Sequence, residues 1–228
     1  MKSEIEKYLE DGIKEFDAEN YDAALNNFTK VVEIEPENAD AIFYIAEIKA
    51  EKEEYDEAIK FYDKAISLDP ADTDSYLGRA DAKYFKDDFK GAINDYDKVI
   101  ELEPDYAEAY SNRGDVKSEL EDFKGALEDY DKAIYINPDD PFFYISRAET
   151  KAEMENFSDA LKDINTAIEI VEPIIEEDDE YLDSLAWIYN RRGETKYAMK
   201  DYEGAKADWE KALELGSEEA DENLKTLV

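Results

Sequence analysis

Glu47, Asp81, Asp115 and Glu149 stand 34 residues apart, and Glu194 continues the series 45 residues further on. Such a row of carboxylates can hold the lysines and arginines of a partner. A second series, Arg79, Arg113, Arg147 and Arg192, is matched by Asp95, Asp129, Asp163 and Asp208, each 16 residues after its arginine. Catalytic chemistry finds little to work with. The chain has no His and no Cys, which removes imidazole acid–base catalysis, thiol nucleophiles and the usual zinc ligands. It has no Gly-x-x-x-x-Gly-Lys-Ser/Thr loop and no Gly-x-Ser-x-Gly elbow. With 63 acidic residues, paired carboxylates occur throughout and single out no site. The run Glu176-Glu177-Asp178-Asp179-Glu180 lacks the Asp-x-Asp-x-Asp-Gly order of a calcium loop. The expectation is a non-enzyme with no cofactor and no metal.

The 63 acids face 27 bases, a net charge of −36 in 228 residues. Nucleic acid is a poor partner for such a chain, because phosphate binding needs a basic footprint. Anionic membrane surfaces are disfavoured for the same reason. The start, Met1-Lys2-Ser3-Glu4-Ile5-Glu6, offers no apolar signal segment, and the longest apolar run is only Ala41 to Ala46. A cytoplasmic protein is expected.

The elements that position these side chains follow from an internal repeat. Pro36, Pro70, Pro104 and Pro138 are 34 residues apart. Taking each as position 32 gives repeats at 5–38, 39–72, 73–106, 107–140 and 141–174, with a sixth at 186–219 after an insertion at 175–185. Position 20 is then Ala24, Ala58, Ala92, Ala126, Ala160 and Ala205. Position 8 is always small: Gly12, Ala46, Ala80, Gly114, Ala148 and Gly193. Position 24 is Phe28, Tyr62, Tyr96, Tyr130, Ile164 and Trp209. Positions 4, 8 and 11 share one helical face, as do 17, 20, 24, 27 and 28, so each repeat is two amphipathic helices. Asn20, Asp88, Asp122, Asn156 and Asp201 stand where the second helix begins and are expected to cap it. One hairpin cannot bury both its faces, whereas a stack can.

These columns resemble the tetratricopeptide repeat over nearly the whole chain, in the variant that carries Asn-Arg-Gly and a following Lys, as at Asn112-Arg113-Gly114 and Lys117. The resemblance implies an all-α fold: a right-handed α–α superhelix, or solenoid, of six antiparallel helical hairpins. It implies one solenoid over 1–228, with 217–228 as a C-terminal capping helix in which Ala220, Leu224 and Leu227 share a face. The insertion reads as a lengthening of the sixth repeat's first helix by roughly two turns, capped by Asp178 or Asp179.

Position 7 is Arg and position 23 is Asp in the last four repeats, but Asp11 and Ile45 stand against Asn27 and Phe61 in the first two. The two residues appear and vanish together, which points to Arg79–Asp95, Arg113–Asp129, Arg147–Asp163 and Arg192–Asp208 as structural pairs. Removing one partner is expected to cost stability more than affinity.

In proteins of this resemblance the first helices line a concave groove, chiefly through positions 2, 5, 9, 12 and 13. Carried onto this chain, the groove comprises Phe43, Glu47, Leu77, Asp81, Tyr84, Asp115, Phe142, Ile145, Glu149, Trp187, Asn190, Glu194 and Tyr197. The lysines at position 11, two residues beyond the acidic row, are expected to offset part of its charge. Carboxylates alternating with apolar anchors suit a basic, partly apolar peptide segment. The clamp for chaperone carboxyl termini does not fit. From the first repeat its five positions hold Leu9, Ile13, Tyr44, Asp74 and Gly78, without the two cations a carboxylate needs. The expected function is a protein–protein interaction scaffold or adaptor acting as a monomer. The alternative is a self-assembly module working through its terminal hairpins or the 175–185 insertion.

Overall fold

The computed structural model describes residues 2–175 and 182–227. Among them every regular element is a helix. The order is α1 (Lys2–Asp17), α2 (Tyr21–Ile34), α3 (Ala39–Glu51), α4 (Tyr55–Leu68), α5 (Thr73–Tyr84), α6 (Phe89–Leu102) and α7 (Ala107–Glu119). Then follow α8 (Phe123–Ile136), α9 (Pro141–Glu153), α10 (Phe157–Ile175), α11 (Leu182–Ala198), α12 (Tyr202–Glu214) and α13 (Glu218–Lys225). The chain divides into two compact units, Met1–Ala109 and Tyr110–Val228. In the first, α1/α2, α3/α4 and α5/α6 pack as hairpins; in the second, α9/α10 and α11/α12 do, with α13 against α12.

The repeated prolines end the second helices. The residue before a proline is pushed out of the helical region, and Glu35, Asp69, Glu103 and Asn137 adopt φ between −129° and −131°. The fifth repeat has Glu172 at that position and Pro173 one residue later. There α10 continues to Ile175, 19 residues against 14 for α8. The turn within each hairpin closes by another device. The N–H groups of Asn20, Glu54, Asp88, Asp122, Asn156 and Asp201 reach back to the carbonyls of Glu15, Lys49, Lys83, Lys117, Lys151 and Lys196 at 2.8–2.9 Å. This six-to-one bond places the residue before each donor in the left-handed region. Here that residue is Glu19, Glu53, Asp87, Glu121, Glu155 or Lys200, with φ of 57–65°, and never glycine. Of the five expected caps, Asp88, Asp122 and Asp201 accept from Gly91, Gly125 and Gly204. Asn20 instead donates to Glu15, and Asn156 to Asp159.

Small residues at positions 8 and 20 let the helices close on one another. All six position-20 alanines are completely buried. Gly193 is needed where it stands, since a Cβ there would lie 2.4 Å from the Trp209 indole nitrogen.

The arginine–aspartate pairs form at all four places. Each arginine donates twice to its aspartate, Nε at 2.9 Å and Nη2 at 2.6–2.7 Å. The fork joins the first helix of the hairpin to the second. A third group, unforeseen in the sequence, completes each clasp. Lys83, Lys117, Lys151 and Lys196 reach the same carboxylates at 2.6–2.7 Å. Four of the five position-11 lysines are thus bound to the clasp aspartates, and the fifth, Lys49, pairs with Glu54, which corrects the expectation that they offset the acidic row. Tyr76, Tyr110, Tyr144 and Tyr189 lie beneath the guanidinium groups at 4.9–5.7 Å. Arg79, Arg147 and Arg192 extend further, to Asp63, Asp131 and Asn165 of the preceding hairpin. In the second hairpin Ile45 and Phe61 share an apolar cluster instead.

The described part of α11 has 17 residues, about one turn more than the 13 of α9. Asp178 and Asp179 lie outside the described residues. The tail forms α13, capped by Ser217, with Ala220 buried and Leu224 and Leu227 against the same core.

Asp163 is 5% exposed, so stripping its guanidinium partner leaves a buried carboxylate held by one lysine. Arg147→Ala should lower unfolding free energy by about 3 kcal/mol. Lys49→Ala, which loses only the half-exposed Glu54, should cost under about 0.5 kcal/mol. Urea titrations of both variants check the contrast, and equal costs would discard a structural role for the clasp.

Candidate functional site

The first-helix residues expected to line a groove fall into two classes. In the first unit, Phe43 is half-buried, in ring contact with Tyr44 and Tyr62. Leu77 and Tyr84 are half-buried, and Tyr84 packs edge-on against Phe85 at 5.6 Å. In the second unit Phe142 stays 45% exposed and faces Trp187 at 6.4 Å. Tyr197 is 39% exposed and edge-on to Tyr202 at 5.3 Å. Two residues are withdrawn. Ile145 is buried beneath its neighbours, and Asn190 is covered by Asn223 from α13, which donates to it at 3.0 Å. Asn190 supports the face from beneath, and Ile145 contributes only to the floor of a cavity beside Glu149 and Arg191.

The acidic row has internal partners that the sequence reading missed. Tyr62 donates to Glu47, Tyr96 to Asp81 at 2.5 Å, and Tyr130 to Asp115 at 2.8 Å. The position-24 ring thus reaches from the buried face of the second helix to the carboxylate on the first. Its phenol was legible as a column of tyrosines but not as a donor. Glu149 and Glu194 have no tyrosine opposite, because position 24 there is Ile164 and Trp209. Arg191, not foreseen, takes their side: Nη1 donates to Glu194 at 2.8 Å, and Nε stands 3.5 Å from Glu149. Its guanidinium lies over the Trp187 ring at 5.3 Å.

Burial pushes Asp115 up to about 6, although hydrogen bonds from Tyr130 and Ser146 work the other way. Burial also raises Glu47, opposed by the Tyr62 bond and aided by Asp81. Glu149 is raised by burial against the field of Arg191. Its side chain keeps half its surface open, because it sits in a concavity crowded by protein yet open at the mouth.

Two concavities in the first unit, each of about 340 Å³, show what the face offers. One is walled by Glu47, Glu51, Glu53 and Asp81 beside Tyr55 and Phe85, whose rings stack at 5.2 Å. The other sets Asp40, Asp69, Asp72 and Asp74 over Leu9, Ile13 and Phe43. Neither has a lysine or arginine in its lining. No group of acidic side chains among the described residues is arranged to hold a metal ion. No described helix is long and apolar enough to cross a membrane.

Repeated helix pairs that present side chains from their first helices define an α-helical repeat protein with interaction faces. Four tetratricopeptide repeat models match, at residues 15–82, 80–120, 107–140 and 180–219. Together they span most of the chain, which belongs to the tetratricopeptide repeat family. Its fold supports a protein–protein interaction scaffold. No curated protein matches the sequence. Among solved structures, pilF of Pseudomonas aeruginosa aligns over 99% of this chain and 98% of its own, with TM-score 0.74 and 18% identity. A tetratricopeptide repeat protein from Parabacteroides merdae aligns over 99% of both chains, with TM-score 0.66 and 20% identity. YrrB, described as having an unusual peptide-binding site, aligns over 87% of this chain and 97% of its own, with TM-score 0.59 and 22% identity. These likenesses show the fold.

The raised carboxyls have a consequence for stability. A carboxyl whose folded pKa exceeds its unfolded value stabilises the fold at low pH and loses that contribution as pH rises through the folded pKa. For Asp115 the loss begins near its unfolded value, about pH 4, and is nearly complete once the pH has risen through its folded value near 6. Asp115→Asn keeps an acceptor for Tyr130 and removes the buried charge. Its melting temperature at pH 7.5 should exceed wild type by about 2–4 °C, and the two should converge near pH 4. A lower value at pH 7.5 would contradict this origin of the shift.

Proposed function

We propose that this protein is an interaction scaffold whose first-helix faces hold a peptide segment that is basic and partly apolar. The observation that carries the reading is the pair of first-unit concavities, each with four carboxylates above an apolar or aromatic floor and no cation in its lining. Lysine or arginine side chains of a partner would meet the carboxylates, and its apolar side chains the rings and aliphatic floor. The second unit offers Asp115, Glu149 and the Phe142–Trp187 pair for the same purpose. A net charge of −36 disfavours nucleic acid and anionic membranes and speeds encounter with a basic partner. The reading takes residues 1–228 as one binding module, monomeric and non-enzymatic, working in the cytoplasm.

Reversing the charges would confound the test, because Glu47, Asp81 and Asp115 accept from buried tyrosines. Amide isosteres keep those bonds. We therefore compare Glu47→Gln/Asp81→Asn/Asp115→Asn/Glu149→Gln with a control, Glu101→Gln/Glu128→Gln/Glu169→Gln/Glu210→Gln. The control residues are exposed on second helices, and each set removes four negative charges. A ten-residue peptide alternating lysine and leucine is titrated by fluorescence anisotropy at about 0.15 M salt, where distant charges are screened. The first set should weaken binding at least tenfold and the control less than threefold. Equal losses would mean that overall charge, not the first-helix face, attracts the peptide. Light scattering on the free chain separates the self-assembly alternative, which requires an oligomer.

A further inference from the structure

Two cavities, one in each unit, are built on the same plan and differ in their charge. The one of about 340 Å³ between the second and third hairpins is lined by positions 9, 12, 13, 17 and 24 of one repeat and 6, 9, 10 and 13 of the next. The same positions line the cavity of about 410 Å³ between the fifth and sixth hairpins. Position 9 supplies Glu47 and Asp81 to the first, and Glu149 and Glu194 to the second. The second cavity carries its own cation. Arg191, at position 6, stands between the two carboxylates: Nη1 donates to Glu194 at 2.8 Å, and Nε lies 3.5 Å from Glu149. In the first cavity position 6 is Gly78, and no lysine or arginine appears in the lining. A Cβ at Gly78 would lie 2.5 Å from the Tyr62 hydroxyl oxygen. A side chain on α5 at this place would therefore have to displace the ring that donates to Glu47. The hairpin before Arg191 has Ile164 in place of that tyrosine. Burial raises Glu47 against the Tyr62 bond, and the fields of Asp81, Glu51 and Asp74 raise it further. A cation that relieves this crowding has to come from outside the chain.

We propose that the cavity beside Gly78 receives an arginine side chain of the bound peptide, held between Glu47 and Asp81 as Arg191 is held between Glu149 and Glu194. The proposal rests on the peptide-binding reading above and names one residue of the partner. The guanidinium would donate to Glu47 on α3 and to Asp81 on α5. Its methylene stem would lie along the stacked Tyr55 and Phe85 rings, of which Phe85 is 62% exposed. A planar fork can serve carboxylates on two helices at once, and it is weakly hydrated, so it loses little on meeting a partly desolvated carboxylate. A lysine ammonium is a compact, strongly hydrated point charge and loses more. A neutral amide or urea donates hydrogen bonds but leaves the repulsion among the carboxylates uncompensated. A metal ion is not the occupant, because no acidic group among the described residues is arranged to hold one.

The probe is N-acetyl-argininamide at about 0.15 M salt, followed by the amide resonances of Gly78 and Ala82 in the first cavity and Thr195 in the second. N-acetyl-lysinamide and N-acetyl-citrullinamide, which keeps the shape and lacks the charge, are the comparisons. The arginine probe should shift Gly78 and Ala82 saturably. Its dissociation constant should be at least fivefold below that of the lysine probe and at least tenfold below that of the citrulline probe. Glu47→Gln, which keeps an acceptor for Tyr62, should weaken the arginine probe at least fivefold. Arg191→Ala should open a second site, read at Thr195, that wild type lacks. Equal binding of the lysine or citrulline probe overturns the proposal, as does no saturable binding to wild type or undiminished binding to Glu47→Gln. A folded Arg191→Ala in which Thr195 responds no more than in wild type overturns it too. If that variant does not fold, the wild-type comparison and Glu47→Gln decide. The lysine–leucine peptide contains no arginine, so its failure bears on the acidic face and the probe's failure on the cavity beside Gly78.

Discussion

Four aspartates, Asp95, Asp129, Asp163 and Asp208, are 3–5% exposed and sit on the second helices of their hairpins. A buried carboxylate is tolerable only when paired and fully hydrogen-bonded. Each is met by a bidentate arginine and a lysine, both from the first helix of the hairpin. Much else follows from that demand. The fork joins the two helices, the tyrosine at position 4 lies beneath the guanidinium plane, and Arg79, Arg147 and Arg192 tie their hairpins to the preceding ones. In the second hairpin Ile45 and Phe61, members of one apolar cluster, stand in place of the clasp.

The clasp also shapes the chemistry of the surface. A chain with 27 bases and 63 acids has few cations to spare, and eight of them are bound to these four carboxylates. Lys83, Lys117, Lys151 and Lys196, two residues beyond members of the acidic row, are all bound to the clasp aspartates. Three members of the row are steadied by tyrosine hydroxyls, which satisfy hydrogen bonds without cancelling charge. Asp115, Glu47 and Glu149 are partly desolvated and harder to ionise than ordinary carboxyls. Such groups weaken the free fold at neutral pH.

Much of this was legible in the sequence, because a 34-residue period repeats each environment and lets residues be compared within one chain. The hairpins, the small and aromatic columns and the joint appearance of Arg and Asp all came from that comparison. The lysines were misjudged for a geometric reason. Positions 9 and 11 are neighbours in sequence but lie roughly 200° apart around a helix at 3.6 residues per turn. Asn190 and Ile145 were read as surface because their covers come from elsewhere, α13 in the case of Asn190. The left-handed turn residues gave no signal, since Glu19, Glu53, Asp87, Glu121, Glu155 and Lys200 occupy a conformation that favours glycine. The lengthening of α10 was not legible, because Pro173 stands inside the helix, where the preceding repeats' prolines end theirs.

The dependence of the fold on the clasp is tested most directly by a double-mutant cycle on Arg147 and Asp163. Unfolding free energies of Arg147→Met, Asp163→Asn and the double variant are measured in urea against wild type. If the buried carboxylate and its guanidinium hold the hairpin together, each single change is strongly destabilising and the double costs far less than their sum, a coupling on the order of 2–3 kcal/mol. Additivity within about 0.5 kcal/mol would show that the two side chains act independently, and the hairpin would owe its geometry to apolar packing alone.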